Sequence, residues 1–399
     1  MRALVFSVVT LSAALGCSNS ESTPSGPVGA AGQQTAGGTG GTSGAAGATA
    51  GGGAGGDAQN QAGAGAGGLG GDAGAAGATA GGGSGGASED PATLFETGLY
   101  ADAAMTQLAP GVLEYSPQFA LWSDGADKRR FIWLPEGTQI DTSNMDYWTF
   151  PVGTKSWKEF TRDDKRIETR LLWKRAEGDW FMAAYVWSED LATATLVPRA
   201  GMPNALGTEH DIPAARQCDE CHKGQTEKLL GFSAIQLSHD GSAVNLAYLK
   251  TNNLLTAPPT VDAFVVPGNA VEKAAIGALH ANCGQCHSQF GNGYDRNDME
   301  LWLMVDTLGD LQQTAPYQSA VGVLTDGDLS EHLPGITYRI VPGDADQSAL
   351  FLRMGQRDAE RLVAMPPIGT ELTDMAGMTA VETWINALPP VADAGADGG

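Results

Sequence analysis

The sequence predicts an α+β, multi-domain chain in which a β-rich, sandwich-like domain precedes an α-helical one. Three observations carry this. Residues 110–200 alternate short aromatic and β-branched runs with turn signals; from about residue 270 the apolar spacing becomes helical; and residues 23–88 are almost entirely Gly, Ala, Ser and Thr, which bury no core. The 399 residues accordingly divide into a signal peptide (1–17), a disordered Gly/Ala-rich linker (18–88), a β-rich domain (90–265), a helical domain (266–390) and a disordered tail (391–399).

The N-terminal segment reads as an export signal. Arg2 supplies the positive start, Ala3 to Leu15 is mostly apolar, and small residues precede Cys17. The stretch is too short to span a bilayer as a stable anchor. Its end, Ala14-Leu15-Gly16-Cys17, resembles a bacterial lipobox, in which the cysteine is lipidated and becomes the mature N-terminus. Ala14 stands where a strong lipobox has Leu, so cleavage before Cys17 without lipidation is the alternative. The linker that follows is a flexible coil able to hold a folded part away from a membrane.

In the β-rich block, Arg130–Leu134, Tyr147–Phe150, Glu168–Trp173 and Trp180–Trp187 are the candidate strands, separated by Pro135-Glu136-Gly137, Pro151-Val152-Gly153 and Glu177-Gly178-Asp179. Strands this short at this spacing predict an antiparallel sandwich or barrel. Of the nine tryptophans all but Trp302 and Trp384 fall here, where core and sheet surface explain them better than a ligand platform does.

In the helical block Asn269 is positioned to cap a helix whose Val271, Ala275 and Leu279 recur at four-residue spacing. Near the end, Val381, Trp384, Ile385 and Leu388 form an i, i+3, i+4, i+7 stripe stopped by Pro389-Pro390.

A formal charge of −23 excludes nucleic acid as a partner, because a polyanion would be repelled. It favours a basic partner protein instead. The five cysteines account for themselves: Cys17 ends the signal, and the others form Cys218-Asp219-Glu220-Cys221-His222 and Cys283-Gly284-Gln285-Cys286-His287. No cysteine remains for a disulfide framework.

The Cys-x-x-Cys-His spacing suits covalent haem c. Two thiols add to the vinyl groups, and the adjacent histidine lies beneath the iron. The pattern predicts two haems, attached at Cys218/Cys221 and Cys283/Cys286, with His222 and His287 as proximal ligands. A zinc ribbon would place its knuckles about 15–20 residues apart, far closer than Cys221 and Cys283 are. A thioredoxin-like motif needs a βαβ unit, and neither site has one. Neither alternative requires the histidines.

Met365-Pro366-Pro367, in a proline-framed loop before the last helix, offers a thioether sulfur as distal ligand of the second iron. For the first iron the candidates are Met202, His210 and His239, and an open or weakly held site is the alternative. His280 and His332 read as structural or solvent residues. Hydrolase signatures, phosphate-binding glycine loops and paired catalytic carboxylates are lacking.

The block Tyr115-Ser116-Pro117-Gln118-Phe119-Ala120-Leu121-Trp122-Ser123-Asp124-Gly125-Ala126-Asp127-Lys128-Arg129-Arg130, then Phe150-Pro151-Val152-Gly153-Thr154, Glu168-Thr169-Arg170, the first motif and Leu230-Gly231-Phe232, resembles a bacterial family of dihaem c-type cytochromes without an assigned role. From Cys283 to Leu388, Ile340-Val341-Pro342-Gly343-Asp344, Ser348-Ala349-Leu350, Met365-Pro366-Pro367 and Trp384-Ile385 are similar to the small cytochrome c domains of exported bacterial proteins. The resemblance implies a cytochrome c-like fold for the helical domain and strengthens Met365 as ligand. The function expected is electron transfer with an external redox partner in the cell envelope, facing periplasm or exterior, through a lipid anchor. Two rivals stand beside it: a dihaem peroxidase-like enzyme, which needs an open first haem with acid and base groups nearby, and a ligand-binding β module fused to a haem domain.

Overall fold

The computed structural model describes residues 90–293, 297–326, 329, 332–357 and 363–390. The signal with Cys17, the linker and the tail 391–399 lie outside them. Six strands form one sheet: β1 (Leu113–Tyr115), β2 (Asp127–Trp133), β3 (Lys155–Arg162), β4 (Lys165–Ala176), β5 (Asp179–Trp187) and β6 (Ala194–Leu196). Each pairs antiparallel with the next, in the order β1-β2-β3-β4-β5-β6. Asp163 and Asp164, both at positive φ, turn β3 tightly into β4, and Gly178 at φ 73° turns β4 into β5.

The α+β class and the antiparallel pairing agree with expectation. The sandwich does not: among the described residues there is one multistranded sheet, and non-strand segments cover both of its faces. On one face Phe131, Trp157, Leu171 and Tyr185 pack with Leu94, Leu99 and Tyr100. On the other, Ile132, Leu172 and Trp180 pack with Phe232, Leu237 and Leu246. A second sheet is unnecessary once these segments exclude water from the apolar rows.

Two strand assignments also change. Tyr147–Phe150 makes only the isolated bridge Thr149 to Asp141, and its Trp148 and Phe150 insert into the core as loop residues. Lys155–Arg162 is a central strand although Lys155, Lys158, Glu159 and Arg162 break its apolar pattern.

The helices are α1 (Ala215–His222), α2 (Leu246–Thr251), α3 (Ala270–Asn282), α4 (Ala315–Ala320), α5 (Ala349–Gly355) and α6 (Met375–Ala387). Asn269 caps α3 as its sequence predicts, accepting from the Val271 and Glu272 amides while the Glu272 carboxylate accepts from the Asn269 amide at 2.6 Å. Such a cap contributes about 1 kcal/mol. Ala275, Ile276 and Leu279 of α3 share a core with Val381, Trp384 and Ile385 of α6, the predicted stripe. Truncating Trp384 there would cost about 3–5 kcal/mol. The described residues belong to one compact unit. Phe264 and Val305 pack against both the sheet-side core and the α3–α6 core.

Candidate functional site

The first motif occupies the end of α1, with His222 its last residue. The chain then makes a tight loop in which Lys228 adopts φ 61° and its carbonyl oxygen lies 2.5 Å from His222 Nδ1. That bond fixes the tautomer with the proton on Nδ1 and leaves Nε2 free as a lone-pair donor. The loop is tied down by buried Lys174 of β4, whose Nζ sits 2.9 Å from Glu227 Oε2 and 2.8 Å from the Phe150 carbonyl oxygen. Burial pushes the His222 imidazole down to about 3, so the ring is neutral, the form that ligates a metal.

The second motif begins where α3 stops. Cys283 is the C-cap, and the Cys286 and His287 amides both donate to the Cys283 carbonyl, at 3.0 and 2.8 Å. His287 is buried, its imidazole is pushed down to about 4 by burial, and its Nδ1 has no hydrogen-bond partner.

The fold brings these two segments into direct contact. Cys221 and Cys286 are joined by a thiol hydrogen bond, which with the nearby Arg170 and Lys158 lowers Cys221 to about 7 and raises Cys286. Ser288 Oγ donates to the Gly224 carbonyl at 3.3 Å, and Asn292 Nδ2 to Glu220 Oε2 at 2.9 Å. Burial raises Cys218 and drives Cys283 up to about 12, so both are thiols at neutral pH.

Both segments border one cavity of about 510 Å3, inside the 300–1,000 Å3 range that houses cofactor-sized ligands. Cys218, Cys221 and His222 line it, with Cys283 and Met365. The donor set fits covalent haem fully at the first motif, where both thiols and a histidine with a free Nε2 face the cavity. At the second the cavity meets Cys283 and Met365, while Cys286 and His287 are outside its lining. Among the described residues no three His, Cys, Asp or Glu side chains gather into a metal cage of the kind a zinc knuckle needs.

Met365 is held by its amide, which donates to the Arg353 carbonyl at 2.9 Å. Of the candidates for the first iron, Met202 and His210 line the cavity. His210 Nε2 is 2.7 Å from Glu168 Oε1. His239 is elsewhere: its Nε2 is 2.8 Å from the Ser116 carbonyl oxygen and its Nδ1 accepts from the Gly241 amide at 3.0 Å. Both nitrogens are therefore committed. His280 is buried, accepts from the Leu303 amide at 3.1 Å and packs on Trp302, a structural role as expected.

Four cavity residues were not singled out as site residues in the sequence: Lys128, Arg130, Lys158 and Arg170. Lys128 and Arg130 alternate on β2, and Lys158 of β3 and Arg170 of β4 join them only once the strands are in register. No family model matches this chain, and no match is found among curated proteins or solved structures.

Proposed function

We propose that the protein is a dihaem c-type cytochrome that passes electrons between its two haems and an external redox partner. The observation that carries this reading is the contact between two Cys-x-x-Cys-His segments distant in sequence, the first lining one cavity with both thiols and its histidine and the second reaching it through Cys283. Neighbouring haems exchange electrons readily, and contact between the two segments would keep the two centres close to each other. Bound haem supplies one-electron iron chemistry. The chain supplies the thiols of Cys218, Cys221, Cys283 and Cys286 for attachment, and His222 and His287 for the proximal positions. The Lys228 carbonyl orients His222, and Met365 provides the sulfur for the second centre.

The charge of −23 favours a basic partner protein. Lipid on Cys17 and the 18–88 tether would keep the folded part at a membrane of the cell envelope. His210 favours a second reading, a peroxidase-like enzyme, because it borders the cavity that the first motif lines and is backed by the buried carboxylate of Glu168 at 2.7 Å.

The test is a redox titration followed in the visible spectrum, on protein matured by a haem-attaching export system. Two reversible one-electron waves are expected. A chain without a reduced-minus-oxidised difference spectrum would overturn the proposal, and turnover of peroxide with a soluble electron donor would move the assignment to the second reading.

A further inference from the structure

The stretch from Phe119 to Asp124 leads into β2, and the electron-transfer reading gives it no role. It is seated on the helical part of the chain. Phe119 packs against α3 at Gly277, where its ring leaves no room for a Cβ. The Trp122 amide then donates to Asn282 Oδ1 at 2.6 Å, and Asn282 Nδ2 donates to the Ala120 carbonyl at 3.1 Å. Asn282 is the last residue of α3 and directly precedes Cys283 of the second motif.

The same stretch grips the loop that carries Met365. Asp124 Oδ1 accepts from the Glu371 and Leu372 amides, both at 2.9 Å, and the Trp122 indole Nε1 donates to the Leu372 carbonyl at 3.1 Å. Bonds to a carboxylate are of the stronger, charge-assisted kind. Asp124 at φ 48° and Gly125 at φ 73° make the tight turn that presents the carboxylate, closed by the Ala126 amide donating to the Ser123 carbonyl at 2.9 Å. The two ends of the loop are held elsewhere. The Met365 amide donates to the Arg353 carbonyl, and Asp374 Oδ1 accepts from the Gly377 amide at 2.9 Å as the cap of α6. Between those ends the loop rests on Trp122 and Asp124.

We propose that the Trp122–Asp124 turn of the β-rich part positions the Met365 sulfur for the second haem, with Asp124 as the positioning residue. This rests on the haem reading given above and on Met365 as the ligand of that haem. The stretch is fixed at one point to Asn282, beside Cys283, and at another to Glu371 and Leu372. It therefore sets the spacing between an attachment cysteine and the methionine loop. Cys283, Met365, Trp122 and Asp124 all line the one cavity. A thioether is a neutral ligand, and groups that orient a ligand govern how well it holds a metal. The β-rich part thus decides whether the second iron keeps its sixth ligand, which gives that part a role in the electron-transfer reading.

The experiment compares full-length, haem-matured wild type with Asp124→Gly, Asp124→Asn and Trp122→Phe, and with Asn245→Ala as a control. Glycine keeps the positive-φ turn and removes the acceptor, whereas asparagine keeps an Oδ1 that accepts from both amides. Asn245 caps α2 on the sheet-side core, its Oδ1 accepting from the Tyr248 amide at 2.9 Å, so its loss lowers stability without touching the turn. Haem is counted by pyridine haemochrome. The near-infrared band of methionine-ligated ferric haem, both redox waves, carbon monoxide binding by the reduced protein and the melting temperature are then read. Two haems are expected in every variant. Asp124→Gly should lose the band, move one wave to lower potential while the other stays, and bind carbon monoxide at one haem more than wild type. Trp122→Phe should weaken the band, and Asp124→Asn should match wild type. Asn245→Ala should melt earlier with the band intact. If Asp124→Gly and Trp122→Phe only melt earlier, as the control does, with band and waves unchanged, the turn is merely structural and the proposal is overturned. A loss as large in Asp124→Asn as in Asp124→Gly would overturn the assignment to acceptance from the two amides. Wild type that carries two haems but lacks the band would remove Met365 as ligand, and this proposal with it, while the haem reading stood. Absence of haem from wild type would remove both.

Discussion

Gly224, just past the first motif, packs so tightly against the second that a Cβ placed on it would stand 1.7 Å from the Gln285 carbonyl oxygen. The obstacle is backbone, so no side-chain rotation relieves it. Gly224→Ala should therefore force the two segments apart and cost about 1–3 kcal/mol, read as a lower melting temperature. It should also alter the interaction between the two redox waves. Unchanged stability would mean that the two segments do not touch as described.

Met365 faces the cavity on a loop whose amide is held by Arg353. Thioether ligation favours ferrous iron, so Met365→Ala should lower the potential of one haem and abolish the near-infrared band of methionine-ligated ferric haem. Repeating the substitution in a Cys283→Ala/Cys286→Ala background identifies the centre. If Met365 serves the second haem, as proposed, the band should already be missing there. A band that persists in that background and vanishes on adding Met365→Ala would assign the sulfur to the first haem.

Asp146 Oδ1 accepts from the Val305 amide at 2.7 Å, and burial raises its carboxyl to about 6. Below pH 4 the group is protonated in both folded and unfolded chains. Between about 4 and 6 the folded chain holds the extra proton, so this group's contribution to stability falls as pH rises through that window. Asp146→Asn keeps the acceptor and removes the titration. Its melting temperature should match wild type near pH 4 and exceed it at pH 7; equal values at both would contradict the burial.

Cys17→Ser should release the protein from the membrane fraction to the soluble one, as expected if lipid on Cys17 is the anchor. Among the described residues no helix is long and apolar enough to cross a membrane. Equal solubility of the two forms would favour cleavage without lipidation.

Local signals were legible, and pairings were not. The Asn269 cap and the Val381, Trp384, Ile385 stripe depend on neighbours within two turns of helix, and both stand where the pattern put them. Strand β3 was hidden because the sheet is covered on both faces, so Lys158 and Glu159 are buried and no polar-out alternation survives. The cation row was hidden for a second reason: Arg130, Lys158 and Arg170 become neighbours only through strand register, which side-chain periodicity alone does not fix. His239 was a candidate by residue type, and only the Ser116 and Gly241 contacts remove it. The convergence of the two motifs likewise depends on packing between distant segments.

The central claim is covalent haem at two motifs, and counting that haem tests it most directly. Thioether bonds survive denaturation, so haem staining of a denaturing gel, with intact mass, should report two haems on exported wild type. It should report one each on Cys283→Ala/Cys286→Ala and on Cys218→Ala/Cys221→Ala. A correctly exported wild-type chain that carries no covalent haem would contradict the account.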